Sequence, residues 1–176
     1  DDFTFLSSEY NLKSLFICDD NFTFWRQRTL ELCEKLKENK SEIEWVCNCR
    51  VDQVDPELLS AMHSAGCWRI GFGIEAGTQE VLDWYGKKVN LEQIRKAINA
   101  CKKVGISPLC YFMIGAPVET EEMIKRTIDF AKELDPDVVT FSYLVPLPGS
   151  GLYHHAIEKD LFLSKSWEVW SELSGN

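Results

Sequence analysis

Basic charge is scarce in this 176-residue chain, which carries 19 Lys and Arg against 28 Asp and Glu, a formal net charge of −9. The basic residues form no cluster, so the phosphate backbone of a nucleic acid is disfavoured as a main partner. Long apolar runs are also lacking, and no stretch reaches the roughly 20 residues that a membrane-spanning helix needs. Asp1 and Asp2 open the chain in place of Met or a basic-then-apolar leader, so no signal peptide is expected.

Recognisable cysteine motifs are missing too. The seven cysteines, an odd number, include no Cys-x-x-Cys, no zinc-like Cys/His set and no disulfide-framework spacing. Most of them fall inside apolar runs, where cysteine behaves as a small buried hydrophobe. We therefore expect a reduced, cytoplasmic protein whose thiols belong to the core.

What the sequence does contain is a regular alternation of apolar runs and amphipathic segments, with 45% hydrophobic residues to build a core. Strands are predicted at about 15–18, 43–49, 68–74, 108–114 and 138–145, and helices at about 23–39, 55–66, 78–86, 90–105 and 120–134. The pattern predicts an α/β fold of parallel strands covered by helices. It leaves open whether the sheet is doubly wound or part of a barrel, although no Gly-x-Gly-x-x-Gly follows the first strand, which disfavours a Rossmann domain.

Polar, charged or glycine-rich residues recur where each predicted strand ends. In chain order, these candidates are Asp19, Asp20, Asn48, Arg50, Glu75, Gly115 and Pro146. Because the carboxyl ends of parallel strands face one side of such a fold, we expect a single ligand site spread over its mouth.

Several of these candidates have a structural role as the alternative. Asp20 or Asn21 could cap the loop that follows the first strand. Arg50 could grip a ligand carboxylate, or pair with Asp52 or Asp55 on the rim.

The third strand carries glycines at 71 and 73, which leave one face without side chains. This favours the close approach of a ligand, with Glu75 suited to vicinal hydroxyls such as those of ribose. Lys87 is either an anion partner or a solvated surface residue. Glu119 is expected to favour a helix dipole, while the backbone at Gly115 remains exposed.

Taken in order, these segments resemble the radical S-adenosylmethionine (SAM) superfamily, most closely the subgroup in which a cobalamin-binding domain precedes the barrel. The segments that carry the resemblance are FICDDNFT at 16–23, CRVD at 49–52, GFGIEAG at 71–77, GK at 86–87, GAPVET at 115–120 and PLPGS at 146–150. The resemblance implies a partial TIM-like (β/α)6 barrel with helices outside, to which 1–155 contribute the second to sixth strands. Residues 156–176 would form a C-terminal helical tail or the start of a following segment.

The resemblance also implies roles for the strand-end residues in binding SAM. Asp19 and Asp20 would contact its amino group, Asn48 and Arg50 would occupy polar third-strand positions, Glu75 would bind the ribose, Lys87 would lie near the carboxylate, and Gly115 with 146–149 would flank the adenine. The family binds a [4Fe–4S] cluster through Cys-x-x-x-Cys-x-x-Cys, which this chain lacks. Milder departures are Ala76 for Ser, Ala116 for Leu, Val118 for Gly and Ser150 for Thr.

The expectation is therefore a fragment, inactive alone, of an enzyme that generates a 5′-deoxyadenosyl radical for methylation, cyclisation or related chemistry. The start at Asp1, just before a second-strand unit, favours a missing N-terminal part that holds the cluster ligands and any cobalamin domain. The substrate would be an unidentified small molecule. Two alternatives stay open: a cluster-free relative acting as a binding or scaffold module, and an ordinary TIM-barrel lyase using Lys87 or Glu75 as base. Trp167 and Trp170 would cover the barrel, begin a substrate-facing domain or pack in a core.

Overall fold

The computed structural model describes residues 2–162, in which five strands alternate with α-helices. The strands are β1 (Ser14–Ile17), β2 (Glu44–Cys49), β3 (Cys67–Glu75), β4 (Ser107–Ile114) and β5 (Val138–Tyr143). The helices are α1 (Asp2–Tyr10), α2 (Arg26–Glu38), α3 (Pro56–Ser64), α4 (Gln79–Trp84), α5 (Leu91–Lys103), α6 (Glu121–Leu134) and α7 (Gly151–Glu158). Short 3-10 turns at Phe22–Phe24 and Val51–Gln53 follow the first two strands.

All five strands lie parallel in one sheet, in the sequential order β1-β2-β3-β4-β5. A doubly wound sheet reverses its strand order at a switch point, whereas a barrel keeps the order of the chain. The observed order therefore decides between the two folds that the sequence left open. The predicted partial barrel is confirmed.

The central strands bury every second side chain against the helical layer. The buried set on this side is Trp45, Cys47, Cys49, Ile70, Phe72, Ile74, Cys110 and Phe112. Burial of a large apolar side chain contributes roughly 1.5–3 kcal/mol, so this row is the main source of cohesion. The intervening residues, among them Asn48, Gly73 and Tyr111, face the opposite side and are only partly buried. That side is where polar chemistry remains accessible.

Three of the predicted helix starts are confirmed by side-chain caps. Asp55 accepts a hydrogen bond from the backbone N–H of Leu58, with Pro56 as the first helical residue. Asn90 and Gln93 form a reciprocal capping box at the start of α5. Thr120 is the N-cap residue of α6, and its side chain accepts a hydrogen bond from the backbone N–H of Met123. Thr78 is the N-cap residue of α4, but its side chain makes no cap bond.

The first predicted helix begins later than its sequence suggests. Phe22 and Thr23 are buried, with Phe22 packed edge-on against Trp45 at 5.3 Å between ring centroids. Because both residues are drawn into the core, the chain first forms a 3-10 turn and the α-helix starts only at Arg26. Helix α1 was not predicted at all, since its segment has neither a capping signal nor a regular apolar spacing. The fifth strand ends at Tyr143, two residues short of the prediction.

The chain divides into two compact units, residues 1–143 and 144–176. The predicted boundary between 155 and 156 stays a prediction. Trp167 and Trp170 lie outside the described residues, so their predicted roles are also untested. Among residues 2–162, no helix has the length and apolarity needed to cross a bilayer.

All seven cysteines are free thiols, as expected, and six of them are buried while Cys18 is exposed. Burial raises the pKa of Cys33 to about 11 and those of Cys101 and Cys110 to about 12. Sγ atoms of Cys47 and Cys49 lie 3.7 Å apart on the buried face of β2. Six of the seven thiols therefore pack as core side chains, as predicted, whereas Cys18 does not.

Candidate functional site

A cavity of about 370 Å³ opens at the carboxyl ends of the central strands. Its walls come from the segment that follows β1, the end of β2 with the residue after it, the second half of β3, the segment that follows α4 and the middle of β4. The lining residues are Asp20, Asn21, Asn48, Cys49, Arg50, Gly71, Gly73, Glu75, Lys87 and Tyr111. Five of the eight predicted site residues, namely Asp20, Asn48, Arg50, Glu75 and Lys87, therefore meet in one cavity.

The two glycines of β3 form the floor of this cavity, and the chain's own side chains use the space that they leave. A Cβ atom on Gly71 would collide with Oδ1 of Asn48 and would lie 2.8 Å from Cε2 of Tyr111. A Cβ atom on Gly73 would lie 2.6 Å from Oε1 of Glu75. Both contacts are closer than real Cβ atoms make, so glycine is required for these neighbouring side chains to reach the floor.

Glu75 and Lys87 form an ion pair in the wall of the cavity. The Nζ atom of Lys87 lies 2.7 Å from Oε1 of Glu75 and also donates to the carbonyl oxygen of Gly73 at 2.8 Å. The Glu75 side chain is 15% exposed and the Lys87 side chain is 21% exposed, so water screens this pair less than a surface pair. Lys87 is thus a built part of the site and not a solvated surface lysine.

Arg50 pairs with Asp52, which was one of the two carboxylate partners that the sequence suggested for it. Its Nε and Nη2 atoms each donate to one carboxylate oxygen of Asp52 at 2.9 Å. This two-pronged hydrogen bonding holds the pKa of Asp52 below its usual value and raises that of Arg50. Asp55, the other predicted partner, instead caps α3 and bonds Arg26 at 3.2 Å.

The structure separates the two adjacent carboxylates after β1. Asp20 lines the cavity, whereas Asp19 lies outside its lining, with Oδ2 at 3.5 Å from Nη1 of Arg28. Asn21 makes no side-chain cap bond, and its Nδ2 donates to Oε1 of Gln53 at 2.7 Å. Asn21 therefore does not take the capping role that the sequence left open for Asp20 or Asn21, and it lines the cavity.

Two amide oxygens in the cavity wall are left without a partner. Within the described part of the chain, the Oδ1 atoms of Asn21 and Asn48 are buried and accept no hydrogen bond. Buried polar atoms are nearly always paired in folded proteins, so unpaired acceptors at a cavity suit ligand donors. These two acceptors are the observation that fits a polar ligand such as SAM.

Gly115 and Pro146, together with Asp19, are the predicted site residues outside the cavity lining. Pro146 lies in the second unit. Gly115 does not present a bare amide: its N–H donates to Oε2 of Glu119 at 2.6 Å, and Ala116 donates to the same oxygen at 2.7 Å. Glu119 thus closes the turn after β4, and its expected role as a mere helix-dipole residue was incomplete.

Sequence reasoning missed two contributors, Tyr111 in the lining and Tyr85 behind it. Tyr111 was detectable in principle, because it lies opposite Gly73 in the register of β3 and β4. Burial, together with the negative charges of Glu119 and Glu75, raises the pKa of Tyr85 to about 12. Tyr85 directly follows α4, and no neighbouring residue in the sequence indicates that it lies near these two carboxylates.

The chain's own residues do not fit an iron–sulfur cluster. No group of three or more Cys, His, Asp or Glu side chains among residues 2–162 is arranged to hold a metal. Cys18 is the one exposed cysteine, and a cluster of this family needs three thiolate ligands. Any cluster would therefore need ligands from elsewhere.

A sequentially ordered parallel sheet with a polar cavity at its strand ends defines the class: an α/β protein with the architecture of a partial barrel, in which a cavity at this position is the usual place for a ligand. The chain belongs to the radical SAM superfamily, whose family model matches residues 5–131. This confirms the resemblance drawn from the strand-end segments.

Two curated relatives match over most of the chain. An uncharacterized methyltransferase of Pyrococcus horikoshii is 32% identical over 98% of this chain and 38% of its own length. The anaerobic magnesium-protoporphyrin IX monomethyl ester cyclase of Rubrivivax gelatinosus is 29% identical over 90% of this chain and 29% of its own length. The chain thus spans about a third of the length of these relatives.

A solved structure shares the fold. The radical S-adenosylmethionine methyltransferase TsrM from Kitasatospora setae, determined with cobalamin and a [4Fe–4S] cluster bound, matches with a TM-score of 0.78. The match covers 92% of this chain and 31% of that chain, at 18% sequence identity. At this identity the likeness concerns the fold alone.

Proposed function

We propose that this chain is the SAM-binding part of a radical SAM enzyme that carries out methylation, cyclisation or a related reaction. The cavity at the strand ends carries the proposal, because it gathers an acid, two unpaired amide oxygens, a carboxylate and an ammonium group in a chain of this family. In this family, bound SAM is the source of the 5′-deoxyadenosyl radical that starts the chemistry. Cobalamin remains a further cofactor of the proposal, as do cluster ligands from a segment of the same protein outside this chain.

The proposed contacts follow the chemistry of the lining. Asp20 would accept hydrogen bonds from the amino group, Asn48 would offer its unpaired Oδ1 to a ligand donor, and Glu75 would accept from the ribose hydroxyls. Gly115 would flank the adenine, and the same role for Pro146, which lies in the second unit, stays a prediction. Because all seven cysteines are free thiols, we further propose a reducing, cytoplasmic location.

The lyase alternative that uses Lys87 is disfavoured by the contacts of this residue. Its Nζ pairs with Oε1 of Glu75 and donates to the carbonyl oxygen of Gly73, so both contacts hold the group to the chain itself. The proposed function therefore gives Lys87 no part as a base, and a lyase with Glu75 as base stays an alternative.

The test is SAM binding by the full-length protein that carries this chain, purified without oxygen and reconstituted with iron and sulfide. Equilibrium dialysis with labelled SAM should show that Glu75→Ala and Asp20→Asn each weaken binding by about tenfold or more, the effect of losing a ligand hydrogen bond to a charged group. Asp137→Asn is the matched control, since it changes an exposed carboxylate that directly precedes β5, at the opposite end of the strands, and it should bind SAM as the unaltered protein does. An unaltered protein that assembles no cluster and binds no SAM would favour the scaffold alternative.

A further inference from the structure

Glu75 is held in an unusual backbone conformation at the end of β3. Its φ angle is +70°, in the left-handed region that residues with a side chain avoid. Such a conformation costs roughly 1–3 kcal/mol and persists only where surrounding contacts enforce it. At the same point the register slips: Gly73 pairs with Tyr111, but Glu75 already pairs with Phe112. One residue of β3 is therefore extra, which is a β-bulge that re-aims the Glu75 side chain.

Two kinds of contact hold this conformation: the backbone N–H of Ala76 donates to the carbonyl oxygen of Ile74 at 3.0 Å, and Lys87 adds side-chain contacts. Its Nζ bridges the two ends of the bulge, donating to the carbonyl oxygen of Gly73 and pairing with Oε1 of Glu75. Within residues 2–162, the second carboxylate oxygen of Glu75 has no comparable partner. One oxygen is thus fixed by the protein, and the other is available to the cavity.

The turn that follows helix α4 fixes the position of Lys87. Helix α4 ends at Trp84, and the chain leaves it through Gly86, whose φ of +69° lies in the left-handed region that glycine tolerates. The N–H of Gly86 bonds to the carbonyl of Asp83, and the N–H of Lys87 bonds to the carbonyl of Leu82 at 2.9 Å. These are the two bonds of a Schellman helix end, which fixes the direction in which the chain leaves the helix.

We propose that Lys87 is a positioning residue, which holds the Glu75 carboxylate over the bulge so that its free oxygen accepts a hydrogen bond from the hydroxyl pair of a nucleoside. This rests on the proposed function and deepens it. It also differs from the role that the family resemblance implies for Lys87, in which the ammonium group meets the ligand's own carboxylate.

The two roles are separated by a ligand without a carboxylate. The probes are SAM and 5′-methylthioadenosine, which has the same nucleoside but no amino-acid end, measured by equilibrium dialysis on the reconstituted full-length protein. If Lys87 positions Glu75, Lys87→Met should weaken both ligands by the same factor, about tenfold for one well-made hydrogen bond. In a Glu75→Ala background the same substitution should add nothing, since the carboxylate that Lys87 positions has been removed.

Control variants keep the result interpretable. Lys88→Met removes the adjacent exposed lysine and should leave both affinities unchanged. Lys87→Arg retains a charged donor and should recover part of both, and it also serves as the test if Lys87→Met does not fold, as judged by circular dichroism. A loss for SAM alone would overturn the proposal in favour of a carboxylate contact, and unchanged affinity for both ligands would overturn it outright. An unaltered protein that binds neither ligand would instead count against the proposed function.

Discussion

Glu119 reaches back to Gly115 and accepts a hydrogen bond from its backbone N–H at 2.6 Å. The same Oε2 atom accepts a second bond from Ala116 at 2.7 Å, so one carboxylate oxygen closes the turn that follows β4. In the proposed site this turn borders the ligand, which makes its shape a functional property.

Loss of this carboxylate should destabilise the fold. Hydrogen bonds to charged groups contribute roughly 1.5–3 kcal/mol each, and partial solvent access lowers that figure here. We expect Glu119→Ala to lower the free energy of unfolding by about 2 kcal/mol and Glu119→Gln by about half as much, because an amide oxygen still accepts both bonds. Urea denaturation measures both changes. Glu121→Ala, an exposed acid in the first turn of α6, is the control and should cost less than about 1 kcal/mol; equal losses at 119 and 121 would contradict the closing role.

Gly71 should tolerate no side chain while its neighbours are unchanged. An added methyl group would collide with Asn48 and press on the ring of Tyr111, and overpacking of this kind costs roughly 1–3 kcal/mol. Gly71→Ala should therefore lower the melting temperature, and a second substitution, Asn48→Ala, should recover most of the loss. Gly151→Ala, where nothing lies within 4 Å of the added carbon, should be nearly neutral. If the double variant is no more stable than Gly71→Ala, the collision with Asn48 is not the cause.

Much of the fold could be predicted because its signals are local. Two helix starts were predicted from at most four neighbouring residues each, and both are found. One is marked by Asp55 and Pro56, the other by Asn90 and Gln93. The beginning of α2 could not be placed in this way, because it depends on the burial of Phe22 against Trp45, a residue distant in sequence.

The features of the site also differ in whether their signals are local in sequence. Glu75 was identifiable from the glycines beside it, whereas its bond to Lys87 required knowledge of where α4 ends. The turn-closing role of Glu119 depends equally on the tight path of the chain after β4. Strand-end position thus predicted which residues line the cavity better than it predicted their partners.

The pairing of Arg50 with Asp52 should appear as a pH dependence of stability. Because hydrogen bonding to Arg50 lowers the pKa of folded Asp52, the pair stabilises the protein above the unfolded pKa of about 3.9 and loses that contribution as the pH falls through the folded pKa. The side chains are 38% and 26% exposed, so the full contribution is about 1 kcal/mol or less.

Urea denaturation across a pH series compares the unaltered protein with Asp52→Asn. The difference in unfolding free energy should be constant above about pH 5, should shrink as the pH falls below the unfolded pKa of about 3.9, and should vanish only below the folded pKa. An NMR titration should show the pKa of Asp52 rising towards its ordinary value in Arg50→Gln. A pKa that does not move in that variant would contradict the assignment.

Thiol reactivity should distinguish Cys18 from the other cysteines. It is the exposed one of seven, while the remaining six are buried and the pKa values of Cys33, Cys101 and Cys110 are raised to about 11 or 12. Because the thiolate is the reactive form, a chromogenic disulfide reagent at neutral pH should modify one thiol per folded chain quickly, and all seven after denaturation. Cys18→Ser should abolish the fast reaction. Rapid modification of two or more thiols in that folded variant would show that the core opens more readily than the structure indicates.

The crowding around Gly71 also has an evolutionary consequence. Asn48, Gly71 and Tyr111 come from three neighbouring strands, yet they share one small volume at the floor of the cavity. A relative with a side chain at position 71 needs a smaller residue at position 48 or 111. A relative that keeps glycine at 71 has space there for different side chains at 48 and 111. The three positions are therefore expected to diverge together, so that relatives with different substrates differ here as a set.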